Sequence, residues 1–189
     1  MLHEESQLTI RFEKATLAHQ ATVFAWLDTT HMQEFWDNSP EHRADILIFM
    51  DGRPVPSTYF AGIFSYWVGV IDDTPYCLIM TSEACAATNP PDYCAPYLST
   101  TGKTFGLDFG IGNPHYLGQG LAAPTLEAFM LYFAGEIEPT ADTFLIDPML
   151  DNRRAIHVYQ KAGFTPVREF ISGDGTFADQ KGLLMVRKL

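Results

Sequence analysis

Apolar and polar residues alternate over Leu8–Glu13, the period of a strand with one buried face. Thr16 offers an N-cap, and Leu17, Ala21, Phe24 and Leu27 recur at helical spacing, which predicts a helix to about Asp28. Met32, Phe35 and Trp36 suggest a second short turn. Ser39-Pro40-Glu41 has the form of a helix start with proline just inside it. Ile46–Met50 is either the apolar end of that helix or a buried strand, and Asp51–Pro56 is a loop. Phe64–Ile71 and Tyr76–Ser82 read as strands of an antiparallel hairpin joined by Asp72-Asp73-Thr74-Pro75. Thr88–Pro96 is a proline-rich loop, and Thr104–Ile111 is a strand again. Gly118-Gln119-Gly120 opens a helix to about Phe133, and Thr143–Ile146 is apolar throughout, as in a strand buried on both faces. Asp151-Asn152 caps a helix ending at Gly163, a left-handed C′ position. Phe164–Ile171 and Gly182–Lys188 close the pattern around Ser172-Gly173-Asp174-Gly175. The order β-α-α-β-β-β-α-β-α-β-β predicts an α+β (mixed α/β) fold, one central mixed sheet with helices on both faces.

Composition narrows this picture. The chain has 189 residues, which suits a single domain spanning 1–189. Hydrophobic residues make up 47% and charged residues 19%, values that exclude a disordered tail, a collagen and a coiled coil. Acidic residues outnumber basic ones 23 to 12, a net charge of -11. That balance argues against a nucleic-acid partner and favours a cationic or neutral one, or serves solubility alone. The start is acidic and polar, unlike a signal peptide, and no apolar run nears the roughly 20 residues of a membrane span. Cys77, Cys85 and Cys94 form no CxxC pair and read as packing residues of a reducing cytoplasm. No HExxH or paired spacing links His3, His19, His31, His42, His115 and His157, so no metal is expected.

Three segments carry candidate chemistry. Leu117-Gly118-Gln119-Gly120-Leu121-Ala122 follows a strand and starts a helix. Its glycines let the backbone approach an anion, and the free amides and dipole of the first turn favour phosphate. A plain tight turn has the same pattern. In Thr104–Ile111, Phe105, Leu107, Phe109 and Ile111 share one face, and Asp108 stands between Gly106 and Gly110 on the other. Asp108 is a candidate general base or cation anchor, or else an acid on an exposed sheet face. Asp147 ends the buried strand, at the edge where sheets of this kind bind ligands. In the following helix Ala155, Ile156, Tyr159 and Ala162 form the inward stripe; Tyr159 is a core aromatic or a positioned acid.

G-x-G-x-A opening a helix, followed about 30 residues on by Asp147-Pro148-Met149-Leu150-Asp151-Asn152 and Arg154-Ala155-Ile156 through Tyr159, Lys161 and Gly163-Phe164, resembles the GNAT superfamily of acetyl-CoA-dependent N-acyltransferases. Gly106-Leu107-Asp108, the spacing to Leu117–Leu121, and Asp147-Pro148 are similar to the aminoglycoside 6′-N-acetyltransferases without a gap. Trp26–His31 with Phe35-Trp36 resembles that group's N-terminal helix pair. The clear likeness covers residues 104–165, with a weaker one over 8–36 and almost none over 40–103.

The resemblance implies a GNAT fold and acetyl transfer from acetyl-CoA to a primary amine of a small cationic acceptor, aminoglycoside-like. It implies that Gly118, Gln119, Gly120, Leu121 and Ala122 hold the CoA pyrophosphate and Asn152 the pantetheine arm. Tyr159 would protonate the leaving thiolate, Asp108 would take or orient the amine proton, and Asp147 and Trp36 would bind the acceptor. The implied partner is a small amine, with no metal, nucleic acid or membrane, acting as a monomer or homodimer. Alternatives are a siderophore hydroxylamine or protein N-terminus as acceptor, or a non-catalytic CoA-binding domain. Two departures stand out. Leu117 replaces the Arg or Gln that usually begins the pyrophosphate motif. The acidic run usual before the Asp108 strand is absent, with Asp92 alone acidic in Thr88–Lys103.

Overall fold

The β-branched and aromatic run Ser65–Ile71 (β2) turns back into Thr74–Glu83 (β3) through Asp72 and Asp73, both at positive φ (47° and 62°). This is the mirror-image two-residue turn whose twist suits a tight hairpin. The turn is shorter than the four residues the sequence suggests, because Pro75 sits near the start of β3, where it removes little from the ladder. The computed structural model describes residues 9–173 and 176–189. Leu8 of the predicted first strand and Asp174 and Gly175 of the last predicted turn lie outside the described residues.

Among the described residues, seven strands form one sheet in the order β1-β2-β3-β4-β5-β7-β6. The others are β1 (Ile10–Lys14), β4 (Lys103–Ile111), β5 (Ala141–Ile146), β6 (Thr165–Ile171) and β7 (Lys181–Lys188). Every neighbouring pair is antiparallel except β4 and β5. That parallel pair is registered from Lys103 opposite Ala141 to Gly106 opposite Leu145. There the pairing ends, although β4 continues to Ile111. The sheet is therefore split in its middle at the carboxyl ends of β4 and β5, where open sheets bind ligands.

Helices cover both faces. Short helices α1 (Gln20–Leu27), α2 (Thr30–Gln33) and α3 (Pro40–Met50) lie on one face over Tyr66, Val68, Leu78 and Met80. Ile46–Met50 is the end of α3 and not a strand, since the Ser39 hydroxyl caps the helix by accepting from His42 N and Pro40 fixes its first turn. On the other face, α4 (Ala122–Tyr132) and α5 (Arg153–Lys161) cover Trp67, Ile79, Phe105, Leu107, Phe144 and Ile146. After Tyr132 the helix widens into a π turn over Phe133–Ile137. The proline-rich segment is no plain loop: Asp92–Tyr97 winds into a short 3-10 helix, and Cys94 packs with Leu145, Leu184 and Val186.

Candidate active site

Asp108 reaches the site because β4 alternates. Phe105 and Leu107 are buried under α4, while Asp108 pairs across the sheet with Met80 on the α1–α3 face. Glycine at 110 lets α2 press against this strand: a Cβ there would come within 2.9 Å of Met32 Sδ. Asp147 follows β5 on the far side of the split, and Tyr93 from the 3-10 segment donates its hydroxyl to Oδ2 at 3.3 Å. Tyr159 stands on α5, on the opposite face of the sheet, 8% exposed and packed with Phe164. All three line one cleft of about 990 Å³ that passes through the split.

The charges follow from this enclosure. Asp108 is exposed to the space of the cleft, whose walls crowd around it. Burial, then the neighbouring charges of Asp147 and Asp37, pushes its carboxyl up to about 7. Burial also pushes Asp147 up to about 6, against the opposing pull of the Tyr93 hydroxyl. Burial, then the charges of Asp108 and Asp147, raises Tyr159 and keeps its phenol protonated at neutral pH. The cleft thus holds a carboxyl titrating near neutrality, able to accept a proton, and a protonated phenol, able to give one.

The end of the cleft next to α2 and α3 holds residues that the sequence reading did not single out. Asp37 accepts from Ser39 N (2.9 Å), Tyr59 Oη (2.7 Å) and Thr176 Oγ1 (2.6 Å). Burial alone would raise its pKa; hydrogen bonds from Thr176, Tyr59 and Ser39 overcome that and hold the carboxyl below its usual range. His42 stacks between Tyr59 (centroids 4.5 Å) and Trp36 (6.0 Å), and its Nδ1–H donates to the Asp37 carbonyl at 2.7 Å. Burial lowers its pKa, so the imidazole is neutral. Trp36, 7% exposed, also lines this end of the cleft. No motif marks Asp37, Tyr59 or Tyr93, because each arrives on a connecting segment. Their one local signal is proline and small polar residues close by in sequence.

At the other end lies the Gly118–Ala122 turn. Gly118 and Gly120 both have φ 73°, a conformation glycine adopts freely, and a Cβ at either would project into open space. The N-cap residue Leu121 gives α4 no side-chain cap, so the first-turn amides keep their capacity to bind an anion. This cradle fits a pyrophosphate. Gly118, Gly120, Leu121 and Ala122 line the cleft, whereas Gln119 does not; its side chain is tied back to the His115 carbonyl at 2.5 Å. Asn152 also lines the cleft. Its Oδ1 accepts from Ala155 N at 3.1 Å as the cap of α5, which fixes the side chain and leaves its NH2 group to donate to a ligand. Among the described residues no group of three or more His, Cys, Asp or Glu is placed to hold a metal ion. Nor is any described helix long and apolar enough to cross a membrane.

Known structures share this architecture. An aminoglycoside N(6′)-acetyltransferase from Legionella pneumophila is 22% identical with a TM-score of 0.73, over 97% of this chain and 94% of that one. An aminoglycoside acetyltransferase solved with coenzyme A and kanamycin is 22% identical with a TM-score of 0.70, over 95% of each chain. An uncharacterised protein from Bacillus halodurans is 26% identical with a TM-score of 0.72, over 96% of this chain and 84% of that one. At such identities the likeness establishes the fold. The family model for the acetyltransferase (GNAT) domain matches residues 16–171, which takes in both faces of the split sheet, the glycine turn and the Asn152–Tyr159 helix. On that match the chain belongs to the GNAT acetyltransferases and is an acyl-CoA N-acetyltransferase.

Proposed function

We propose that this enzyme transfers acetyl from acetyl-CoA to a primary amine of a small polycationic acceptor of the aminoglycoside 6′ type, and so acts in antibiotic resistance. The observation that carries the reading is the acidic acceptor end. Asp37, Asp108 and Asp147 converge on one cleft that continues to an anion cradle. An amine bearing several positive charges suits such a pocket, and an acidic acceptor does not. The neighbours solved with kanamycin or ribostamycin and CoA add support by likeness of fold alone. The three free cysteines, two of them buried, suit a cytoplasmic enzyme.

In this mechanism the amides of Gly118, Gly120, Leu121 and Ala122 hold the pyrophosphate, and Asn152 anchors the pantetheine arm. Acetyl-CoA supplies the activated acetyl thioester. Asp147 and Asp37 draw the cationic acceptor in, with Trp36 as an apolar wall. Asp108 accepts a proton from the ammonium, which frees the nitrogen lone pair for attack on the thioester carbonyl. Tyr159 gives its proton to the departing thiolate as the C–S bond breaks, and the second proton that the nitrogen sheds as the amide forms restores the phenol. Tyr93 steadies the Asp147 carboxylate.

Thiol release from acetyl-CoA tests the proposal with a panel of acceptors: kanamycin, spermidine, a hydroxylamine and a peptide N-terminus. Turnover with kanamycin well above the others is expected. Release with none of them, alongside acetyl-CoA binding, would reassign the chain as a silent CoA-binding domain.

A further inference from the structure

A positive φ is rare for residues other than glycine, and asparagine and aspartate tolerate it best. Asp72, Asp73, Asn89 and Asp179 fit that rule. The remaining described cases do not, and they meet at one place. Arg53 (φ 57°), Phe60 (φ 43°) and Ala61 (φ 53°) all belong to the connection between α3 and β2. The Arg53 guanidinium donates to the Phe64 carbonyl, pairs with Asp45 at 3.1 Å, and lies so close to Gly62 that no Cβ would fit there. At the start of the turn Tyr59–Gly62, the Tyr59 hydroxyl donates to Asp37 at 2.7 Å. The strained turn is therefore pinned from both ends. Strain held this firmly marks a side chain that is needed where it stands.

That side chain is Phe60. It is 47% exposed and lines the end of the cleft next to α2 and α3. Phe35 and Ile171 are also exposed apolar residues on the cleft, but neither has a positive φ. Phe60 ends a row of rings along the cleft wall. Trp36 stacks on His42 (centroids 6.0 Å), His42 on Tyr59 (4.5 Å), and Tyr59 meets Phe60 edge to face (4.8 Å). Trp36 and His42 are buried and Tyr59 half-buried, so Phe60 is the ring that the row offers to a ligand. The charges at this end are negative. Asp37 and Asp108 line it, and the described Lys and Arg residues that border the cleft, Arg154 and Lys161, sit on α5. The donors to Asp37 are neutral groups of Ser39, Tyr59 and Thr176, which leave its charge uncancelled. An open aromatic face beside carboxylates suits an ammonium, which both attract. We infer that Phe60 is a specificity-determining residue: its ring receives a second, non-reacting ammonium group of the acceptor and so selects polyamines over monoamines. The inference rests on the polycationic-acceptor reading above and names the residue that reads the remote charge. Phe60 lies within 40–103, where the likeness to the aminoglycoside enzymes is almost absent, so the contact belongs to this chain's own sequence.

The test is steady-state acetylation of kanamycin by the full chain at saturating acetyl-CoA. Phe60→Ala and Phe60→Leu should each raise KM about two- to fivefold, the scale of an exposed cation–π contact, with kcat and acetyl-CoA affinity unchanged. Phe60→Trp keeps a ring face and should hold KM at or below the parent's. Phe60→Gly should raise KM likewise without lowering the melting temperature, because relief of backbone strain offsets the lost contacts with Tyr59 and Phe64. An unchanged KM in Phe60→Ala overturns the inference. Full recovery in Phe60→Leu overturns it too, since apolar packing would then suffice. So does a fall in kcat or acetyl-CoA affinity alongside the rise in KM, since the ring would then shape the site as a whole. Absence of kanamycin turnover by the parent overturns the polycationic-acceptor reading, and this inference with it.

Discussion

Asp108 is a carboxyl whose environment opposes its charge, and this gives two separable signatures. As a base it works only when ionised, so acetyl transfer in the parent should rise with pH through about 7. Asp108→Asn should lose that limb and about 10²- to 10⁴-fold in turnover, while acetyl-CoA affinity in calorimetry stays close to the parent's. The second signature is in stability. The folded carboxyl binds a proton more tightly than the unfolded one, so its contribution is full below about pH 4 and is lost as pH rises through about 7. Asp108→Asn removes that loss: its melting temperature should exceed the parent's at pH 8, with the gap closing towards pH 4. Melting curves that run parallel at all pH values would mean that Asp108 is an ordinary solvated acid. Tyr159 is the complementary case, a phenol kept protonated by its surroundings. Tyr159→Phe keeps the packing against Phe164, so turnover should fall about 10- to 1,000-fold with an unchanged melting temperature. Stopped-flow or steady-state rates at saturating substrates decide this; an unchanged rate with chemistry limiting returns Tyr159 to the core.

At the scale of elements, the glycine turn and the α3–β2 junction make opposite demands. Gly120→Asp strains the φ 73° backbone and places a carboxylate at the mouth of the cradle. Acetyl-CoA binding by calorimetry should weaken by at least about tenfold, while the fold persists because a Cβ there meets nothing. On the buried face of α3, Asp45 pairs with Arg53 at 3.1 Å and accepts from Tyr66 Oη at 2.6 Å. Arg53→Gln would leave Asp45 short of its counter-charge, at a cost of about 3 kcal/mol in urea unfolding. These elements also mark what was legible in the sequence. Asp108 and the Gly118–Ala122 turn could be read because a strand's period of two and a helix start are local properties. The Asn152–Gly163 helix was readable through its cap, stripe and left-handed end. Tyr93, Tyr59 and Asp37 were not, since no periodicity governs the segments that carry them. Their roles exist only once Tyr93 meets Asp147, 54 positions away, and Asp37 meets Thr176, 139 away. The hairpin turn misled for a related reason: Pro75 signals a turn in isolation, yet the sheet tolerates it at the start of β3.

The molecule as a whole is an anion with its acidic pocket at one end of a through-going cleft. Long-range attraction of a polycationic acceptor should therefore be screened by salt. KM for kanamycin should rise several-fold between about 20 and 200 mM salt, and kcat should hold, because the Debye length shrinks to below the cleft's own dimensions. A KM indifferent to salt would point to an uncharged acceptor. The split between β4 and β5 has a consequence for the order of events. The cleft is lined from α4 and α5 on one side and from α2 and α3 on the other, so in the proposed reaction each ligand has its own side to enter by and neither blocks the other. That reaction then has both aboard at once, with acetyl expected to pass between them without resting on the protein. Initial-rate plots against one ligand at several levels of the other should then intersect; parallel lines would require an acetylated enzyme and would overturn direct transfer.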